Sequence, residues 1–276
     1  MNFYTVVGGN GFIGSEIVKH LHSLKKDVWI PERNESNIFS KKLGTLIYCA
    51  GNGECQLKPF EVLTANCLFL SQLLQHADFD RLIYVSSSRL YMNGDGSDEM
   101  SDLIIRQDDN RRLFNLTKLV AEELCFKSGK PFTIVRPSNV YGVALKSPLF
   151  LPSITRNAIV NGRVDMFVDK NYEKDYVSVV DVAKSIIKLS NNKDAEGKII
   201  NIASGANVSS EQIASMLIQY TNCVVNWHEN NASKEIFPVT DISLLKEMIP
   251  EYKPHSVLSD LSDMIQLFKS ELQIKS

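Results

Sequence analysis

Near its start the chain reads Val6-Val7-Gly8-Gly9-Asn10-Gly11-Phe12-Ile13-Gly14, three spaced glycines between an apolar run and a helical one. Phe3–Val7 has the character of a buried strand. From Gly11 to Lys25, the residues Ile13, Ile17, Val18, Leu21 and Leu24 fall on one face of a helix. A strand that turns this sharply into a helix needs glycine for three reasons. Gly8 can take the backbone angles of the turn, Gly11 lets a ligand approach the backbone, and Gly14 lets the helix pack close to the sheet. The first helical residues, Phe12 and Ile13 among them, then present unpaired N–H groups and a partial positive charge, a setting suited to pyrophosphate. A glycine-rich turn with no ligand is the plain alternative. The position between strand and helix favours the binding reading.

The alternation continues along the chain. Val28–Ile30, Thr45–Cys49, Arg81–Ser86, Phe132–Arg136 and Lys198–Ile202 read as strands, with helices expected over Phe60–His76 and Phe114–Phe126. Tyr176–Leu189 reads as strand then helix, and Ile154–Val160, Glu211–Tyr220 and Val257–Phe268 as helices. The fold class expected is α/β: a Rossmann-type doubly wound parallel sheet with a smaller C-terminal substrate lobe. The dinucleotide-binding domain is expected to comprise residues 1–145 plus about 176–204, and the smaller lobe about 146–175 plus 205–276.

About 20 residues after the turn, where such folds place a ribose-binding acid, the chain reads Ile30-Pro31-Glu32-Arg33. Glu32 can accept hydrogen bonds from ribose hydroxyls, which favours NAD. Arg33 can instead pair with the extra phosphate of NADP, and either side chain can be plain loop charge.

Composition narrows the partners. A net charge of −2 gives no global field for nucleic acid or an anionic membrane. The basic pairs Lys25-Lys26, Lys41-Lys42 and Arg111-Arg112 read as solvated helix ends or loops. No apolar run reaches the roughly 18 residues of a membrane span. The five cysteines form no paired motif and no cluster with histidine, so no metal site is expected and they read as reduced thiols. No signal-type segment opens the chain, and the cytoplasm is the expected location.

Further motifs follow the glycine turn in a telling order. These are Cys49-Ala50-Gly51, Asn66 in Thr64-Ala65-Asn66-Cys67, Val85-Ser86-Ser87-Ser88-Arg89-Leu90-Tyr91, and Phe114-Asn115-Leu116-Thr117-Lys118. Arg136-Pro137-Ser138-Asn139-Val140-Tyr141-Gly142, Lys174-Asp175-Tyr176-Val177 and Asn201-Ile202-Ala203-Ser204-Gly205 complete the set. Together they resemble the extended short-chain dehydrogenase/reductases, the superfamily of NAD-dependent epimerases and dehydratases acting on nucleotide sugars. The resemblance spans roughly residues 3–270.

That resemblance implies roles. Gly8, Gly11, Phe12, Ile13, Gly14, Glu32, Arg33, Ala50, Gly51, Asn66, Lys118 and Pro137 would hold the cofactor, NAD or alternatively NADP. Ser87, Ser88, Arg89, Asn139 and Lys174 would face the substrate. The catalytic set would be Ser87, position 114 and Lys118. In the family a tyrosine four residues before the lysine moves the proton while hydride passes to or from nicotinamide. The lysine charge favours tyrosinate. Here Phe114 stands at that position and has no O–H. An engineered replacement, a natural variant with another proton carrier such as water relayed by Ser87, and a non-catalytic binding relative all fit. Tyr91 and Tyr141 match structural tyrosines of the family.

Family members that remove water across C5–C6 of the sugar carry an acidic pair after the strand-end hydroxyl, where this chain has Ser88 and Arg89. The expected function is therefore a nucleotide-sugar 4-epimerase or 4-ketoreductase impaired at position 114. A non-catalytic dinucleotide-binding regulatory or scaffold protein is the alternative. The family often pairs through its two central helices, so a homodimer through Phe60–His76 and Phe114–Phe126 is expected.

Overall fold

The computed structural model describes residues 3–33, 35–144, 149–228 and 235–272. The boundary expected near residue 145 lies outside the described residues. The chain begins β1 (Phe3–Val7), α1 (Phe12–Ser23), β2 (Asp27–Trp29), β3 (Thr45–Tyr48), α2 (Pro59–Leu63) and α3 (Phe69–His76). It continues with β4 (Arg81–Val85), α4 (Arg112–Lys127), β5 (Phe132–Pro137), β6 (Asn139–Tyr141), α5 (Phe150–Asn161), β7 (Arg163–Met166) and β8 (Glu173–Ser178). After these come α6 (Val179–Ser190), β9 (Ile199–Ile202), β10 (Asn207–Ser209), α7 (Ser210–Thr221), β11 (Val224–Trp227), α8 (Ser243–Met248) and α9 (Val257–Glu271).

Six strands form one parallel sheet in the order β2-β1-β3-β4-β5-β9. Successive strand residues face opposite sides, so each strand feeds two cores. Ile47, Ile83, Val85 and Val135 join one cluster with Ile17 and Leu21 of α1 and Val182 and Ile186 of α6. Leu46, Tyr48, Leu82, Tyr84 and Ile134 join the other with Leu70 and Leu73 of α3 and Ala121 and Cys125 of α4. β1 pairs with β2 on one side and with β3 on the other. The strand order reverses there, and the space beyond the carboxyl ends of β1 and β3 is the usual ligand position in such sheets.

A third core carries the smaller sheets, β10-β8-β6 and β11-β7. It gathers Tyr141, Leu151, Ile154, Tyr176, Ile213, Leu217, Leu261 and Phe268. Ile242, Leu245, Ile249 and Tyr252, by contrast, sit in the core on the α1/α6 side of the large sheet. The chain thus crosses back to the large sheet before α9 rejoins the third core.

The helix expected over Phe60–His76 is interrupted. Thr64–Leu68 forms a π turn between α2 and α3, and Asn66 and Cys67 are buried in it. Tyr48 donates to the carbonyl of Ala65 at 2.7 Å and Tyr84 to that of Asn66 at 3.2 Å, so carbonyls of the widened turn find partners on the sheet.

Candidate functional site

The turn after β1 is built for close approach. Gly8 has φ of +84°, and a Cβ there would lie 2.6 Å from the backbone N of Ala50. At Gly14 a Cβ would come within 2.1 Å of the Gly8 carbonyl oxygen, closer than any side chain allows. The turn is tied by Gly11 N–H to Gly8 O at 2.9 Å. Gly11 is the N-cap of α1 and supplies no side-chain cap, and the first turn contains no acidic residue. The N–H groups of Phe12, Ile13 and Gly14 have no intrahelical acceptor by helix geometry. They fit the pyrophosphate of a dinucleotide.

Other expected cofactor residues ring the same end of the sheet. Glu32 and Arg33 are exposed in the loop after β2, and the Arg33 guanidinium lies 3.7 Å from Glu61. Ala50 is partly buried and Gly51 exposed beyond β3, while Pro137 closes β5 and is buried. A Cβ on Gly51 would lie 3.2 Å from Asn66 Oδ1, a tight approach, and 3.6 Å from Lys118 Nζ, an ordinary one. Asn66 is fully buried. Its Oδ1 accepts from Asn52 N at 2.9 Å, and its Nδ2 donates to Asn52 O at 3.0 Å and Thr117 Oγ1 at 3.1 Å. This places Asn66 as the brace between the loop after β3 and α4 rather than on the ligand surface.

Phe114 and Lys118 share one face of α4, and Lys118 reaches the strand end that leads to Ser87. Lys118 and Phe114 are one helical turn apart on α4, with Nζ 5.8 Å from the ring centroid. Lys118 Nζ is buried and donates to Val85 O at 2.8 Å, at the end of the strand that leads to Ser87. Burial pushes its pKa down to about 8, against the opposing pull of Glu122 and Cys49. Ser87 caps the short 3₁₀ turn Ser88–Tyr91, its Oγ accepting from Arg89 N at 3.1 Å. That bond uses a lone pair and leaves the hydroxyl proton free to be donated. Phe114 offers only a ring.

Of the expected substrate residues, Arg89, Lys174 and Asn139 are engaged with other groups of the chain. Ser88 and Arg89 are buried. Arg89 Nη2 donates to Asp109 at 2.9 Å and to Glu235 at 2.8 Å. Glu235 also accepts from Tyr172 at 2.5 Å and lies 3.4 Å from Lys174 Nζ. Its own burial opposes ionisation, but bonds from Arg89 and Tyr172 and the Lys174 charge outweigh it and hold its pKa down at about 2. Burial lowers Lys174 to about 8, with Glu235 opposing. Asn139 donates to the Asp175 carbonyl at 2.8 Å. Glu235 carried no signal in the sequence, since its partners lie 146 and 61 residues away.

Arg111, expected among solvated basic pairs, is only partly exposed. It is half-buried, with its guanidinium carbon 4.7 Å above the Phe114 ring. The structural tyrosines behave as expected. Tyr91 links Arg136 and Asn201, and Tyr141 donates to Asp260 at 2.7 Å. Asp175 welds β8 to the end of β9, accepting from Ser138, from the backbone N–H groups of Ser204, Gly205 and Ala206, and from the Ser204 hydroxyl. No described helix is long and apolar enough to cross a membrane.

The fold is similar to that of several solved structures. MoeE5 in complex with UDP-glucuronic acid and NAD superposes with a TM-score of 0.86 at 21% identity, over 98% of this chain and 100% of that one. UDP-glucose 4-epimerase from Thermotoga maritima gives 0.81 at 19%, over 99% and 100%. A tyrosine-to-phenylalanine mutant of UDP-glucuronic acid 4-epimerase from Bacillus cereus gives 0.82 at 19%, over 98% and 99%. No curated protein matches in sequence. Residues 4–203 match the NAD dependent epimerase/dehydratase family, and the chain belongs to that family.

Proposed function

We propose that this protein is an NAD-dependent enzyme of nucleotide-sugar 4-epimerase or 4-ketoreductase type whose proton-transfer step is impaired at Phe114. The observation that carries this reading is Lys118, one turn from Phe114 and bonded to the strand end before Ser87, in a chain whose glycine turn is left uncapped. NAD, when bound, supplies hydride acceptance and donation at the sugar carbon. The glycine turn and the start of α1 bind its pyrophosphate, and Lys118 holds the nicotinamide ribose. Glu32 accepts from the adenosine ribose, while Arg33 leans toward Glu61, which supports NAD over NADP. Ser87 donates its free proton to the reacting sugar oxygen. The proton that hydride transfer requires has no carrier at position 114, a loss of typically 10²–10⁴ in rate.

Ser88 and Arg89 supply no carboxylate beside Ser87, which argues against dehydration across C5–C6. Lys174 and Asn139 are proposed to face the nucleotide diphosphate once substrate displaces their present partners. Leu116 and Val120 of α4 and Leu68 of the π turn are 43%, 50% and 46% exposed, and these apolar side chains support a homodimer through the paired helices.

The deciding experiment is Phe114→Tyr assayed with NAD across a panel of nucleotide sugars. Turnover rising by about 10² or more supports the reading. No gain on any of them supports the alternative, a dinucleotide-binding protein without catalysis.

A further inference from the structure

Arg111 is the N-cap residue of α4, and its guanidinium rests on the ring of Phe114. Its backbone N–H donates to Asp109 at 2.8 Å. Across from it a Cβ on Gly53 would lie 2.9 Å from Nη2, so glycine there makes space for the guanidinium. Among the described residues nothing accepts a hydrogen bond from that guanidinium, and its Nε is buried without a partner.

Its charged neighbours are already matched. Arg89 is held by Asp109 and Glu235, and Lys174 by Glu235. Among the described residues three cations therefore face two carboxylates; Asp109 and Glu235 act on Arg111 through their charge, but neither bonds its guanidinium. Burial, and then the field of Arg89, hold its pKa below that of an ordinary arginine. A guanidinium nevertheless stays charged near neutrality. A half-buried cation whose guanidinium has no bonded acceptor carries a desolvation cost, and a ligand that brings an anionic oxygen offsets it.

Which anion fits follows from position. Arg111 stands directly on Phe114, and the proposed reaction puts the reacting carbon at Phe114. In a hexose that reacts at C4, the C5 substituent is one bond away, whereas the diphosphate hangs from C1 on the far side of the ring. A planar guanidinium also matches a carboxylate with two parallel hydrogen bonds. We propose that Arg111 recognises a carboxylate at C5 of the sugar, so that this chain takes a nucleotide uronic acid in preference to its hydroxymethyl counterpart. The inference rests on the site being a nucleotide-sugar pocket.

The test is calorimetric titration of the NAD-loaded protein with UDP-glucuronate and with UDP-glucose, for the chain as it stands and for Arg111→Met and Arg111→Lys. The expected result is a preference of about tenfold or more for UDP-glucuronate, lost in Arg111→Met with UDP-glucose affinity unchanged within about twofold. Arg111→Lys should fall between, because it keeps the charge and loses the fork. Unchanged NAD affinity in the variants shows that the pocket is folded. Equal affinity for the two sugars, or an equal loss of both in Arg111→Met, overturns the inference; the equal loss assigns Arg111 to the diphosphate. NAD binding with no affinity for either sugar overturns the nucleotide-sugar reading as well.

Discussion

Lys118 Nζ sits 2.8 Å from the carbonyl oxygen of Val85, so the buried ammonium is pinned to the end of the strand that delivers Ser87. The pinning fixes the distance between the cation and the hydroxyl before any ligand arrives, and it carries a cost in the apo protein.

That cost is readable as a pH dependence. Burial lowers the Lys118 pKa in the folded state to about 8, below its unfolded value, so between these the unfolded chain binds more protons and stability rises with pH. The buried thiol of Cys49 acts in the opposite direction, pushed up to about 12. The difference in unfolding free energy between the unaltered chain and Lys118→Met isolates the lysine. It should grow in favour of the unaltered chain from pH about 8 to about 10. Denaturant titrations across that range check it.

Gly14→Ala should abolish NAD binding and destabilise the fold by about 1–3 kcal/mol, because the added methyl meets the Gly8 carbonyl oxygen at 2.1 Å. Gly129→Ala is the control. Unlike Gly14, Gly129 has positive φ (+68°), so alanine there should cost about 1–2 kcal/mol in backbone strain, but it meets nothing within 4 Å and should leave NAD affinity intact. Thermal melts and calorimetry measure both.

Asp175→Ala removes the acceptor of the Ser204, Gly205 and Ala206 N–H groups at once. Ser204 and Gly205 are half-buried and Ala206 is exposed, so water takes over part of these bonds and a loss of about 1–3 kcal/mol is expected in chemical denaturation. The motif Lys174-Asp175-Tyr176-Val177 thus owes its acid to the architecture, while its lysine faces Glu235.

Val120→Glu should convert a dimer to a monomer in light scattering without changing NAD affinity, because Val120 is 50% exposed and belongs to α4 rather than to the glycine turn. A unit mass unaffected by the charge contradicts the proposed helix pairing.

Much of the fold was legible because its signals are local. The strand, turn and helix from Phe3 to Ser23 are specified by neighbours in sequence, and so is the one-turn spacing of Phe114 and Lys118. What escaped depends on contacts that periodicity does not encode. The π turn at Asn66 is set by hydroxyls of Tyr48 and Tyr84 arriving from the sheet. Arg111 looks like half of a basic pair until Phe114 and Gly53 close around it. Ile242 and Leu245 carry an apolar pattern that fits either core, and the packing selects the large sheet.

The most direct measurement is calorimetric titration of the purified protein with NAD, NADH and NADP. A single site per chain that takes NAD or NADH, and that Gly14→Ala eliminates, is the predicted result. Absence of affinity for every pyridine nucleotide would contradict the assignment of the glycine turn, and with it the roles given to Lys118 and Phe114.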